Sequence, residues 1–510
     1  IDMDTLDLMG LKLTKDPLSG PFQLFSEMET DLKRRHRLDL TLGNWAITTD
    51  QQTYRPKMLT LHAVSDDDTT RLSFHAGDMG LIATGNADAP TLLQRLGNVS
   101  DVFRRLMEHD SAAHIERLTP LLPTLNIQLE AAQDNPLYNY LQEQNIFFDR
   151  LTVHASTSPT DGLQANALLL SVMKDTMRLD TICLDIRNDS IEGLTYAVDV
   201  IKNRFRRQEA FTAGLRGHLL NGVAEVNALY RDSRGETGLQ LGVQAEQRGK
   251  AYRFHFIPDE PVLAFMPFKL NPENYVEMRS LKSISADLKL TGPENAALWI
   301  HSNADSTELA VEINQIDLQQ LSRFAAIPDM QGRVNVALRY VPSDVSYLIA
   351  ADANIDNLIF RGQPVGELLL NGVYLPLDNN RHRFDAHFYH NESELATVSA
   401  FYRQPQQKQA QGAIDGTMQF DRIPLSELNP FFGGAVDMQG VLRGRLTLES
   451  RDRGSIWNGY LQLDSTSMYV RAVGTRFRFD DQEVDIKDSK LRLTKYGIYT
   501  TGGNPFTISG

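Results

Sequence analysis

Ser283-Ile284-Ser285-Ala286-Asp287-Leu288-Lys289-Leu290 alternates without a break, with Ile284, Ala286, Leu288 and Leu290 in one phase and Ser283, Ser285, Asp287 and Lys289 in the other. Successive side chains of a β-strand point to opposite faces, so this stretch reads as a strand with one face in an apolar medium and one in water. Arg333 to Tyr340 repeats the pattern, setting Val334, Val336, Leu338 and Tyr340 against Arg333, Asn335 and Arg339. The rhythm recurs in Leu38, Leu40 and Leu42, in Leu59, Leu61 and Ala63, in Leu72, Phe74 and Ala76, and in Leu151, Val153 and Ala155. Many half-apolar strands in succession predict an all-β-dominated chain built around one long apolar surface.

The rhythm changes once. Asp88 is placed to cap a helix, Pro90 suits its first turn, and Leu92, Leu96, Val99, Phe103 and Leu106 follow at steps of four and three. Such an amphipathic helix, carrying Arg95, Arg104 and Arg105, is expected to pack on the sheet by its leucine face, the alternative being a helix that lies on a membrane surface. Pro120 and Pro123 punctuate a second helical stretch, and Asp134-Asn135-Pro136 opens a shorter one running to Leu141. Further on, Ile316-Asp317-Leu318-Gln319-Gln320-Leu321, Phe324 and Asp329-Met330-Gln331-Gly332 recur as Ile423-Pro424-Leu425-Ser426-Glu427-Leu428, Phe431 and Asp437-Met438-Gln439-Gly440. Self-similarity at a fixed period implies stacked modules that bury one another's apolar faces. The chain thus divides into strands over 1–88, a helical insertion over 89–150, strands over 151–315, and two repeat modules over 316–422 and 423–510, each a short helix plus strands.

Composition narrows the function. With 42% hydrophobic and 23% charged residues among 510, the chain can build a substantial core. Asp and Glu outnumber Lys and Arg by 65 to 51, a net charge of −14 that repels a phosphate backbone, so nucleic acid is not an expected partner. Cys183 is the only cysteine, which excludes an internal disulfide, and its alternation places it beside Asp185 and Arg187. No run of 18 apolar residues offers a membrane-spanning helix. The chain opens at Ile1 and stops within a strand-like Thr507-Ile508-Ser509-Gly510, and it reads as an excised fragment.

Motifs for nucleophilic, nucleotide or zinc chemistry are absent, so no catalytic residue, metal or cofactor is expected. His382, His387 and His390 lie close in sequence. On one strand, however, His382 and His390 would sit roughly 26 Å apart while His387 faced the other way. Asp66-Asp67-Asp68 reads as a solvated turn, and Lys202, Arg204, Arg206 and Arg207 as a polar strand face.

The stretch Val473-Gly474-Thr475-Arg476-Phe477-Arg478-Phe479-Asp480-Asp481, with Val484-Asp485-Ile486-Lys487-Asp488-Ser489, Tyr496-Gly497-Ile498-Tyr499 and Gly503-Asn504-Pro505-Phe506, resembles the TamB/AsmA-like family in its Bacteroidetes form. Leu125-Asn126-Ile127, Asp134-Asn135-Pro136-Leu137, Ser158-Pro159-Thr160-Asp161-Gly162-Leu163 and Leu241-Gly242-Val243-Gln244-Ala245-Glu246 are similar to that family in order and spacing. The resemblance covers most of the chain from about residue 90.

It implies an elongated β-taco, a trough-like β-solenoid with an apolar interior and a few short amphipathic helices. It also implies a periplasmic part of an inner-membrane-anchored envelope protein that meets a BamA/TamA-like outer-membrane barrel through regions beyond these residues. Its expected task is to shield phospholipid acyl chains between the two membranes, to support outer-membrane protein assembly, or both. Groove-lining candidates are Ile284, Leu288, Val334, Leu338, Val345, Ile349, Phe477, Phe479, Val484 and Ile486. Two rivals are a sealed structural or adhesive β-solenoid, whose interior would be filled by side chains, and a polysaccharide-binding β-protein, which would pair exposed aromatics with carboxylates.

Overall fold

The computed structural model describes residues 2–7, 19–48, 53–55, 57–108, 112–206, 208–280, 283–303, 308–325, 327–343, 346–377, 380–404, 412–451, 454–500, 503 and 505–510. Strands account for 68% and helices for 12% of the chain, so the all-β reading holds. The chain forms two compact units, Ile1–Gln247 and Arg248–Gly510.

In the first unit the strands Ser19–Thr30, His36–Gly43, Leu59–Ser65, Thr70–Ala76, Met79–Gly85, Leu125–Ala131, Arg150–Ser158, Gly162–Lys174, Met177–Asp189, Gly193–Lys202, Phe211–Leu220, Val223–Arg231 and Thr237–Arg248 each pair antiparallel with the next. The second unit repeats this plan through Tyr275–Ser280, Ser283–Thr291, Ala297–Ser302, Leu309–Asp317, Met330–Pro342, Tyr347–Phe360, Gln363–Leu377, Arg381–His390, Ser393–Arg403, Ala413–Pro424, Val436–Arg451 and Gly454–Val470. Gly454–Val470 then pairs with both Thr475–Phe479 and Glu483–Lys487. Neighbours in sequence are neighbours in the ladder, as short connections favour. Among the described pairings none joins the first strand of a unit to its last, so each meander is open.

The segment read as a helical insertion is only partly helical. Ala89–Glu108 is an α-helix and Ala112–Leu121 a 3-10 helix, but Leu125–Ala131 is a strand that carries the sheet from Met79–Gly85 to Arg150–Ser158. Its period of two, Leu125, Ile127, Leu129, was present in the sequence. The short helix is Pro136–Glu143, with the Asn135 side chain accepting from the Tyr138 amide at 2.8 Å.

Asp88 caps Ala89–Glu108: its carboxylate accepts from the Thr91 amide at 3.0 Å and the Thr91 hydroxyl at 2.8 Å. Among its described side chains the leucine face is fully buried only in its first turn. Leu92 is buried, and a Cβ at Gly85 would come within 2.4 Å of it, whereas Leu96 is 41% and Phe103 42% exposed. Val99 between them is half-buried, so cover on the stripe is uneven beyond the first turn; the Leu106 side chain lies outside the described residues. The basic run after Lys202 also departs from expectation. The strand ends at Lys202, whose ammonium lies over the Phe211 ring at 5.6 Å, Arg204 and Arg206 fall beyond it, and Arg207 is outside the described residues.

The repeat is structural down to its irregularities. Leu318–Ala325 and Leu425–Phe432 are short helices at matching points, each preceded by a bulge, at Ile313/Ile316 and Phe420/Ile423. The repeated glycine is demanded by the backbone: Gly332 has φ 139 and Gly440 φ 106, and a Cβ there would meet the Asp356 carbonyl oxygen at 2.8 Å or the Thr466 Cα at 2.5 Å.

Hydrogen bonds from the Thr91 amide and hydroxyl hold the Asp88 carboxyl below its ordinary range. Because the folded pKa is the lowered one, this cap stabilises the helix fully above about pH 4, the unfolded value, and is lost as pH falls through the folded value. Asp88→Ala should therefore speed hydrogen exchange at Thr91 and Leu92 at neutral pH and abolish the acid-dependent part of it. Unchanged exchange in the variant would contradict the cap.

Candidate functional site

Residues directly opposite one another in an antiparallel ladder share a face. In the second unit Leu288 lies opposite Ile300, then follow Val311, Leu338, Ala351, Gly372, Ala386, Val398, Met418, Leu446, Gly459 and Ile486, strand by strand. A parallel row runs Ile316, Val334, Ile355, Leu368, His390. Another runs Tyr340, Ile349, Tyr374, Phe384, Ala400. At the described, register-paired positions from Ile284 to Ile486 this face carries no Asp, Glu, Lys or Arg.

The opposite face carries Glu312, Asp352, Asn371, His387, Thr397, Gln419, Arg445 and Asp485. These polar groups satisfy one another: Asn371 donates to Asp352 at 2.5 Å, Ser399 to Asp385 at 2.7 Å, and His387 lies 2.7 Å from Glu394. Burial works to raise the Asp385 carboxyl, but hydrogen bonds from Ser399 and Arg383 outweigh it and hold the group below its ordinary range.

The first unit has the same two-sided character. Leu40, Leu61, Phe74, Leu81, Leu129, Val153, Ala167, Leu184, Val198, Leu215, Ala228 and Leu241 succeed one another across its ladder. Cys183 lies on the polar side, opposite Leu168 and Asp199.

Cover on the apolar face varies along the second unit. Near its start, Leu288 and Leu290 are each only 3% exposed, packed in a cluster with Met266, Phe268, Leu270 and Ile316. Leu321 of the helix Leu318–Ala325 seals this cluster and packs also on the adjoining one formed by Leu318, Leu358 and Val365. Farther along the cover ends: Leu338 and Ile349 are half-buried, Phe384 is 42% exposed and Ile414 43%. In the middle row Ala351, Gly372 and Ala386 are small, so the floor there has little side chain of its own.

The two edges of the face differ. Beside His390, Leu425–Phe432 closes one edge: His390 Nε2 donates to the Val365 carbonyl at 2.6 Å, and Nδ1 lies 3.0 Å from the Glu427 carboxylate. At the other edge the rings of Tyr340, Tyr347, Tyr374, His382 and Tyr402 follow one another across five strands, at centroid separations of 5.3, 6.1, 5.8 and 5.8 Å. The Tyr374 hydroxyl is 2.6 Å from His382 Nδ1, and burial, with the neighbouring Tyr347, pushes the Tyr374 phenol up.

Of the sequence candidates, Ile284, Leu288, Val334, Leu338, Ile349, Val484 and Ile486 share this face. Phe477 and Phe479 are half-buried in Thr475–Phe479, where Phe477 pairs with Met468, and Val345 lies outside the described residues. His382 and His390 are on the apolar face and His387 on the polar one. Sequence reasoning missed the aromatic edge, whose members come from five strands and share no local motif, and the His390–Glu427 contact, which spans 37 residues. No three metal-ligating groups converge among the described residues, and no helix there is long and apolar enough to cross a membrane. No family model, curated protein or solved structure matches the chain.

The uneven cover predicts uneven truncation costs. Leu288→Ala should lower stability by about 2–5 kcal/mol, as expected for a sealed core, and Leu338→Ala by less than about 2. Denaturant unfolding of both variants measures the difference, and equal losses would mean that the face is sealed throughout.

Proposed function

We propose that this chain is a non-enzymatic lipid conduit of the TamB/AsmA-like kind, in which the apolar sheet face shields phospholipid acyl chains. The observation that carries the reading is an apolar face uncharged at its register-paired positions from Ile284 to Ile486 and partly open around Leu338, Phe384 and Ile414. Removing a chain of about 16 methylenes from water recovers on the order of 13 kcal/mol, at ~0.8 per methylene. A passage for it must stay apolar at every step, because one charge on the floor opposes transit by roughly 2.5–3.5 kcal/mol, the cost at a bilayer centre. A charge-free face satisfies that requirement; a polysaccharide site does not need it.

The sealed-solenoid alternative suits the Leu288 end, where the interior is filled, but leaves the exposed Phe384 and Ile414 without a purpose. The resemblance supports a periplasmic location, with inner-membrane anchoring and contact with a BamA/TamA-like barrel made by regions beyond these residues. Support for outer-membrane protein assembly belongs to the same reading.

Gly372 provides a test that spares the fold. Its φ is not in the left-handed region and the nearest atom to an added Cβ, the Asp385 carbonyl oxygen, is 3.8 Å away. Gly372→Leu should melt at or above the parent temperature yet lose most of the phospholipid that co-purifies in native mass spectrometry. Full lipid occupancy in the folded variant would remove the conduit. Leu338→Asp should likewise block lipid crosslinking while Arg339→Asp, on the polar face, leaves it intact, in variants that still unfold cooperatively.

A further inference from the structure

The lipid-groove reading leaves open how a lipid lies on the face, and the two unlike edges bear on that question. We propose that the apolar face of the second unit is polarised: phosphate-bearing lipids sit with their head groups along the Tyr340–Tyr402 edge and their chain ends toward the Ile316–His390 row. This rests on the conduit reading and adds an orientation and an entry side to it.

Three observations support the orientation. The Ile316–His390 row is covered by the short helices Leu318–Ala325 and Leu425–Phe432 and pinned by the His390–Glu427 contact, so a head group has no wet exit there. The opposite edge is a continuous row of rings with an apolar body and a polar tip, the kind of side chain that gathers where hydrocarbon meets water.

His382 supplies the third. Its Nδ1 is engaged by Tyr374, while its Nε2 is shielded from solvent and has no hydrogen-bond partner among the described residues. Buried polar atoms are normally paired, so Nε2 calls for a polar partner, and where it carries the ring proton that partner is an oxygen acceptor. An ester or phosphate oxygen of a lipid provides one.

The test uses the whole chain and two phosphatidylglycerol probes, one photoreactive in the head group and one at the end of an acyl chain, with adducts mapped by peptide mass spectrometry. Head-group adducts on the segments holding Tyr347, Tyr374, His382 and Tyr402, with tail adducts nearer Val334, Ile355 and Leu368, are the expected result. Tail adducts on the face with head-group adducts at the helix-covered edge, or spread evenly, would overturn the orientation and leave the conduit standing. Adducts of neither probe on this face would overturn both. In His382→Phe, which keeps the ring, head-group labelling at this edge should fall about fivefold. Tail labelling should stay within about twofold, because the acyl chains carry most of the binding. A purely structural role for the row would lower melting temperature without moving the head-group adducts, and that outcome would also overturn the orientation.

Discussion

Everything in the second unit depends on cross-strand register. A strand alone can only separate its two sets of side chains; whether neighbouring strands present the same set to the same side is decided by the ladder, where a slip of one residue would invert a whole strand. From Leu288 to Ile486 no such inversion occurs, although the ladder contains bulges. Two of the bulges, at Ile313/Ile316 and Phe420/Ile423, lie where the repeat helices begin, so these irregularities re-aim the chain without changing the face.

The same physics explains why the helices are short and sit at an edge. A sheet with one apolar face must cover it, leave it open or use it, and apolar surface left in water is unfavourable by roughly 25 cal/mol per Å². Leu318–Ala325 and Leu425–Phe432 cover one edge and the Met266–Leu270 segment seals the start, while the middle remains partly uncovered. The middle row of Ala351, Gly372 and Ala386 is built of small residues, and of these Ala386 is fully covered. An uncovered, uncharged surface of this length suits an occupant that is itself apolar and elongated.

The polar face is stabilised by different means. Its carboxylates are matched by amides, hydroxyls, histidines and arginines on adjacent strands, as at Asn371–Asp352 and Ser399–Asp385. These contacts are half-exposed, so each contributes modestly, and their main effect is to keep the charged phase wet and the register fixed.

The sequence by itself determined the class of fold, the two-sided strands and the repeat, because a period of two and a spaced motif are local patterns written in consecutive residues. It also held the strand Leu125–Ala131, whose period of two is masked by flanking helical signals, and it set the helix start at Asp88. Only the tertiary structure decided how much of the helix Ala89–Glu108 is covered, since the amount of surface available at Gly85 depends on strands far away in the chain. It alone decided that Leu288 is sealed and Leu338 is not, although both occupy the same phase of equally regular strands. The aromatic edge was likewise invisible beforehand: Tyr340, Tyr347, Tyr374, His382 and Tyr402 become neighbours only when five strands pair in register, and register is a relation between segments that no single segment encodes.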